Sequence, residues 1–150
     1  MVRAHGLDTS AAAARERSVV AAMWTHFSSP EIQSRALYSL ARMVLDDKAR
    51  ATLGRAGACE VVVAVMRAHS TDIFIQRSGV YVLAHLAHMP RNRRRLGHRA
   101  RKLVLNRVRE HPSDPMIQQW GVFALDQLTA DWTREPVVRV KQWLVRCIFD

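Results

Sequence analysis

Three segments of the chain align with one another without gaps at an interval of 42 to 43 residues. They begin at His26, His69 and His111 and read HFSSPEIQSRALYSLARM, HSTDIFIQRSGVYVLAHL and HPSDPMIQQWGVFALDQL. In each segment the histidine is followed six residues later by Ile-Gln, then by a small residue and a leucine. A period of this length without strand-like alternation predicts stacked helical units, because one unit cannot bury its own apolar face.

Each complete unit is predicted to hold a short basic helix, a second helix rich in valine or leucine, and a longer third helix. The predicted spans are 48–55, 59–68 and 72–87 in one unit and 91–97, 103–110 and 114–129 in the next. An incomplete first unit is predicted to supply its middle helix within residues 9–27. Ser29, Thr71 and Ser113 are predicted N-caps of the third helices, since a side-chain oxygen there accepts from free amides of the first turn. The sequence thus predicts an all-α chain with repeat-like units at about 9–45, 46–88 and 89–130 and a C-terminal helix at about 134–149.

Residues 54–87, GRAGACEVVVAVMRAHSTDIFIQRSGVYVLAHLA, resemble the armadillo repeat. That pattern runs from a glycine turn through a leucine- or valine-rich second helix to a third helix ending in aromatic-Ala-Leu-x-Asn-Leu-Ala. The similarity covers roughly residues 15–130 and implies a right-handed superhelical solenoid of about two and a half repeats plus the C-terminal helix, in a single domain, 1–150. Gly57 stands at the turn position, and His98-Arg99-Ala100 replaces that glycine in the last unit, which predicts a degenerate turn there.

In armadillo proteins the third helices line a concave face, where an aromatic residue and an asparagine receive an extended peptide. Here the aromatic position holds Tyr38, Tyr81 and Phe123, and the asparagine position holds Arg42, His85 and Gln127. The family's asparagine clamps for nuclear-signal peptides are therefore not expected. At about 100° per residue, helical geometry also predicts a core stripe of Val82, Leu83 and Leu86 and places Tyr81 on the opposite side of that helix, with the same relationship for the other two aromatics. The predicted partner-binding residues of this face are Tyr38, Arg42, Arg77, Tyr81, His85, Gln119, Phe123 and Gln127.

Two interpretations of this aromatic row stay open. In the first, the rings form a ladder that grips an extended segment, while the neighbouring Arg, His and Gln side chains hydrogen-bond its backbone. In the second, the curvature of the stack is tight, and the rings are buried against adjacent third helices.

The chain is strongly basic, with 23 Lys and Arg residues against 13 Asp and Glu and a formal net charge of +10. Most of the excess lies in the second half, and RNRRRLGHRARK, residues 91–102, is its densest part. The predicted acidic-partner contact consists of Arg91, Arg93, Arg94, Arg95, Arg99, Arg101 and Lys102. The positive electrostatic potential of such a segment favours nucleic acid, anionic lipid headgroups or acidic protein surfaces as binding partners. A solvated turn without a partner is the alternative, and the lack of interleaved aromatics argues against base stacking.

The sequence carries no pattern for catalysis or cofactor binding, since P-loop, GxGxxG and nucleophile-elbow motifs are missing. His85 and His88 lack a nearby third ligand, so no metal site is expected. Cys59 and Cys147 form no CxxC motif, which favours a reducing, intracellular compartment. Residues 1–14 match the composition of a mitochondrial presequence only in part, which favours the cytoplasm over the mitochondrion and leaves both open. The longest apolar run, 61–66, is too short for a transmembrane segment.

The segment that follows the repeats is predicted to be a helix with apolar residues on more than one side, although a terminal element of a solenoid is normally polar outside. The residues predicted to form a docking edge for another subunit are Val138, Trp143, Val145 and Phe149. The alternative is that this edge folds back onto Trp120, Trp132 or the preceding helices.

These features together predict a non-catalytic protein-interaction or scaffold module, an accessory subunit of a hetero-oligomeric assembly that binds an acidic surface or an extended segment. The alternative function is an RNA-contacting accessory subunit of a ribonucleoprotein, with its basic half on phosphates.

Overall fold

The computed structural model of the protein describes the backbone of residues 2–130 and the side chains of residues 10–130. Within that part of the chain the regular elements are seven α-helices, and no strand occurs. They are α1 (Val2–Thr25), α2 (Pro30–Met43), α3 (Asp47–Ala56), α4 (Ala58–Ala68), α5 (Ile73–Leu86), α6 (Pro90–Glu110) and α7 (Pro115–Thr129). The predicted all-α class is therefore confirmed for these residues. The predicted C-terminal helix lies outside the described residues, as do its docking-edge residues Val138, Trp143, Val145 and Phe149.

Helices that hold equivalent places in the repeat pack against one another. Among the third helices, α5 packs against both α2 and α7, and among the second helices, α4 packs against both α1 and α6. The core lies between these two rows, and the leucine that recurs in each repeat, Leu40, Leu83 or Leu125, is fully buried there. None of the seven helices has both the length and the apolar character that crossing a membrane requires.

A glutamine in each third helix caps the end of the second helix before it, and this explains the recurrent Ile-Gln. The Nε2 atom of Gln76 donates to the backbone carbonyls of Met66 and His69, at 3.1 and 2.8 Å. Gln33 and Gln118 each make the same pair of bonds, to residues seven and ten positions earlier. The repeated histidine thus marks the C-terminal end of the second helix, where carbonyls lack partners within the helix.

The third helices begin at the position predicted for one of them and one residue later for the other two. Ser29 accepts from the amide of Ile32 and caps α2, as predicted. The predictions of Thr71 and Ser113 are wrong, because Asp72 and Asp114 are the N-caps of α5 and α7. These aspartates are the residues that align with Ser29 in the repeat. A carboxylate also interacts favourably with the positive end of the helix dipole.

The small residue of each repeat lets the second and third helices of a unit approach closely. A Cβ at Gly79 would lie 2.5 Å from the Met66 side chain, and one at Gly121 would lie 2.3 Å from Cγ2 of Val108. Both distances are far below van der Waals contact, so a larger residue at either position would displace the side chain that it meets.

Two boundaries differ from their predictions. α1 begins at Val2 rather than near residue 9, because Arg3, Ala4 and Leu7 favour a continued helix. The turn in the last unit is not without glycine: Gly97, with φ 55° and ψ −155°, breaks α6 into two halves. It lies three residues before Ala100, the position that aligns with Gly57, so alignment alone placed this turn wrongly.

Candidate functional site

Four rings from two neighbouring third helices lie against one another. This aromatic cluster consists of Tyr81 and His85 on α5 and Trp120 and Phe123 on α7. The ring centroids of Tyr81 and Trp120 are 4.7 Å apart in an edge-to-face arrangement. His85 lies 4.5 Å from Tyr81 and 5.1 Å from Trp120, and Phe123 meets Trp120 edge-on at 5.9 Å. Residues three or four apart share one helix face, so each helix supplies an adjacent pair.

The aromatic cluster is partly buried and partly exposed. Tyr81 and Trp120 are half-buried and pack against the core, whereas Phe123 keeps 39% of its surface exposed. Tyr38, the equivalent residue in the first unit, is 66% exposed and makes none of the ring contacts found among the described residues. The cluster therefore joins the second and third units, and Tyr38 is a separate exposed ring on α2.

His85 is the polar member of the aromatic cluster. Its Nε2 atom is buried and has no hydrogen-bond partner among the described residues. Burial lowers the pKa of His85, and the positive charges of Arg50 and His88 lower it further. The imidazole is therefore neutral at physiological pH, and it contributes an apolar ring face with one unused polar edge.

Arg77 is predicted to bind a partner, but the structure pairs it with Asp114 of the next unit. The Nε atom of Arg77 lies 2.7 Å from a carboxylate oxygen of Asp114. Burial raises the pKa of Asp114, but hydrogen bonds from the Ile117 amide and Arg77 outweigh burial and leave that pKa below its usual value. Arg77 thus ties α5 to the start of α7.

The remaining predicted residues of this face differ in exposure. Arg42 and Gln119 are exposed, and Gln127 is half-buried. They carry donors that can reach a ligand lying on the aromatic cluster or on Tyr38.

The basic side chains of segment 91–102 include two that are half-buried, Arg93 and Arg101, and five that are exposed. Arg93 is half-buried, and its Nη1 atom donates to the carbonyl of Ala87, the C-cap of α5, at 3.0 Å. Arg50 makes the equivalent bond to Val44 one repeat earlier, at 2.9 Å. Arg93, which is predicted to contact an acidic partner, thus caps the end of α5 in this structure.

Arg101 is also half-buried, and its Nη2 atom lies 3.1 Å from Nδ1 of His98. The exposed members of the segment are Arg91, Arg94, Arg95, Arg99 and Lys102.

Sequence reasoning missed two residues that the structure places at these surfaces. Trp120 is the central ring of the aromatic cluster, but the equivalent positions in the earlier repeats hold Ser78 and Arg35. A search for recurring residues therefore misses Trp120. Its spacing of three residues from Phe123 does indicate that the two rings share one helix face. Arg67, on α4, lines a groove together with Arg95, and no pattern in the sequence connects these two residues.

The described residues offer no reactive centre among their cysteines or metal-binding side chains. Burial raises the pKa of the Cys59 thiol to about 12, so it is not a nucleophile at neutral pH. No group of three His, Cys, Asp or Glu side chains in this part of the chain could hold a metal ion.

Comparison of the chain with protein-family models, with curated proteins and with solved structures finds no match.

Proposed function

We propose that the protein is a non-catalytic interaction module of armadillo-like architecture, an accessory subunit that binds an extended segment of a partner protein along its third helices. The observation that carries this proposal is the aromatic cluster, which joins α5 to α7 and leaves Phe123 partly exposed. Aromatic side chains provide large contact area with little loss of conformational entropy, and they dominate many protein interfaces.

Hydrogen bonds between corresponding parts of consecutive units support the solenoid part of the proposal. The Nδ2 atom of Asn92 donates to the carbonyl of Arg50, and Nε2 of His69 lies 2.8 Å from the carbonyl of Phe27. Both pairs are 42 residues apart, one residue short of the 43 that separate the equivalent positions His26 and His69 or Arg50 and Arg93. Bonds of this kind are expected where each unit stacks on the next.

The polar residues beside the rings fit an extended ligand. A peptide lying on the cluster has free amides and carbonyls, and Gln119 on α7 is exposed next to Trp120. A side-chain amide both donates and accepts, so it can pair with either backbone group of a peptide. Arg42 and Tyr38 would extend the same contact onto α2.

A peptide-display selection on the full chain, followed by calorimetry, tests the proposal. Peptides selected from a random library should bind the Phe123→Ser variant at least about tenfold more weakly than the wild type, as is typical for an aromatic anchor. Phe74→Ser is the matched control. Phe74 is 67% exposed and lies near the start of α5, whereas the cluster residues of that helix, Tyr81 and His85, lie near its end. Equal weakening by both variants, or failure to select any peptide, would contradict the proposal.

The exposed arginine and lysine side chains of segment 91–102 favour a second candidate function, that of an RNA-contacting subunit. Arg91, Arg94 and Lys102 are exposed and can contact phosphates. RNA binding through them should weaken steeply with salt, since each neutralised phosphate of a single strand contributes about 0.7 to the slope of log affinity against log salt. Titrating oligouridylate at several salt concentrations measures that slope.

A further inference from the structure

A narrow groove of about 190 Å³ lies between α4 and α6, beside the helix break at Gly97. Val63 and Ala64 of α4 and Leu96 of α6 form its apolar wall. The arginines that line it are Arg67, Arg95 and Arg99. The break at Gly97 separates Arg95 from Arg99, so both halves of α6 contribute to the groove.

The three arginines are available to a ligand. All three are exposed, and none forms an ion pair with a carboxylate of the described residues. Glu60 is the acidic residue that also lines the groove. It lies two helical turns from Arg67 on the same side of α4, about 10 Å away along the helix axis.

The groove opens on the side of the molecule away from the aromatic cluster. The buried residues of α4 include Val62, Val65 and Met66, and Met66 packs against α5 at Gly79. At about 100° per residue, Ala64 and Arg67 lie on the opposite side of the helix. A ligand in the groove therefore does not touch the third helices.

We propose that this groove binds a short acidic segment of a protein partner that also carries an apolar side chain. The apolar side chain would lie against Val63, Ala64 and Leu96, and its neighbouring carboxylates would pair with the arginines. Guanidinium groups bind carboxylates through two parallel hydrogen bonds, which gives geometric specificity as well as charge attraction.

The lining of the groove favours an acidic peptide over RNA. An apolar wall provides nothing for a phosphate or a ribose to bind, whereas the carboxylate of Glu60 repels carboxylates and phosphates alike. None of the groove residues is aromatic, so bases have no ring on which to stack. A peptide with glutamate or aspartate next to leucine matches both the charge and the apolar wall.

Fluorescence anisotropy with defined probes tests the proposal. The first probe is a fluorescein-labelled peptide in which glutamate pairs alternate with single leucines, and the comparison probes are an all-glutamate peptide and oligouridylate. We expect the mixed peptide to bind most tightly. The double substitution Arg95→Gln and Arg99→Gln should weaken its binding at least roughly fivefold.

Matched controls separate groove binding from general charge attraction. Arg91→Gln combined with Arg94→Gln removes the same charge from exposed positions outside the groove and should change affinity by less than about twofold. Glu60→Gln should tighten binding, because it removes the repelling carboxylate. Circular dichroism confirms that each variant is folded.

The alternative outcomes each overturn the proposal. These are equal weakening by the two double variants, equal binding of the all-glutamate peptide, tighter binding of oligouridylate, or no binding of any probe. Phe123→Ser should leave binding in the groove unchanged, so this proposal can fail or succeed independently of the proposed function of the aromatic cluster.

Discussion

The Nε atom of Arg107 donates a hydrogen bond of 2.6 Å to Oε1 of Gln76, so the glutamine that caps α4 is itself held by the next unit. Arg107 is buried on α6 and also pairs with Glu110. One repeat earlier, Val65 stands at the position of Arg107, and Oε1 of Gln33 has no partner among the described residues. The arginine thus couples the cap of one unit to the second helix of the following unit.

A double-mutant cycle with Arg107→Met and Gln76→Leu should measure this coupling. Each single substitution leaves a buried polar group without its partner, so each should destabilise the fold by about 1–3 kcal/mol. The double variant should lose less than the sum, with a coupling energy of about 1–2 kcal/mol. Urea unfolding followed by circular dichroism provides the four stabilities, and additive losses would contradict the coupling.

The glutamine caps should be essential to stability, whereas neighbouring glutamines should not. Gln118→Leu removes two hydrogen bonds to the end of α6 and should lower the free energy of unfolding by about 1–3 kcal/mol. Gln119→Leu makes the same chemical change at the next, exposed position and should lower it by less than about 0.5 kcal/mol. Urea unfolding of both variants decides the matter, since similar losses would show that capping is not the cause.

Stability should depend on pH through Asp114. Its pKa in the folded protein is below the usual aspartate value, so the folded state favours the ionised form more than the unfolded state does. The stabilisation is present above the pKa of the unfolded chain and disappears as pH falls through the folded pKa. The gap in unfolding free energy between wild type and Asp114→Asn should therefore narrow from neutral pH to about pH 3.

Arg77→Met provides the second arm of this pH experiment. It removes the cation that pairs with Asp114, so its stability gap from the wild type should narrow over the same range. A gap that stays constant with pH in both variants would rule out the ion pair as the source.

The break in α6 should require a residue at position 97 that adopts positive φ without strain. Gly97→Ala meets no atom within 4 Å, so any loss arises from the backbone, where φ 55° with ψ −155° is unfavourable for L-residues. We expect a loss of about 1–3 kcal/mol in thermal or urea unfolding. A semisynthetic protein with D-alanine at 97 is the control, because a D-residue adopts this φ without strain. Equal losses in the two proteins would refute the backbone explanation.

The sequence was sufficient for some of the features that recur in every unit but not for all of them. The 42 to 43 residue period predicted the helical class of residues 2–130. The functions of the recurring glutamines could not be predicted, because each bonds carbonyls seven and ten residues away that only folding brings into reach.

Features that occur once were the hardest to predict. In the other repeats, no residue equivalent to Trp120 belongs to an aromatic cluster, and none equivalent to Gly97 breaks a helix. Alignment of the repeats could therefore not reveal either function. The groove lined by Arg67 and Arg99 depends on the packing of α4 against α6. Such a surface is a property of tertiary structure, and neither helix shows it alone.

The most direct test of the proposed function is fluorine NMR of the protein labelled with 5-fluorotryptophan, titrated with a peptide from the display selection. Trp120 lies at the centre of the aromatic cluster, whereas Trp24 stacks on Phe27 on another part of the molecule. The chain has four tryptophans, and single Trp→Phe variants assign the resonances of Trp120 and Trp24 among the four. If the partner segment binds at the cluster, the Trp120 resonance should shift with the same dissociation constant that calorimetry measures, while that of Trp24 stays in place. A saturated complex in which the Trp120 resonance has not moved, or in which Trp24 moves instead, would contradict binding at the aromatic cluster.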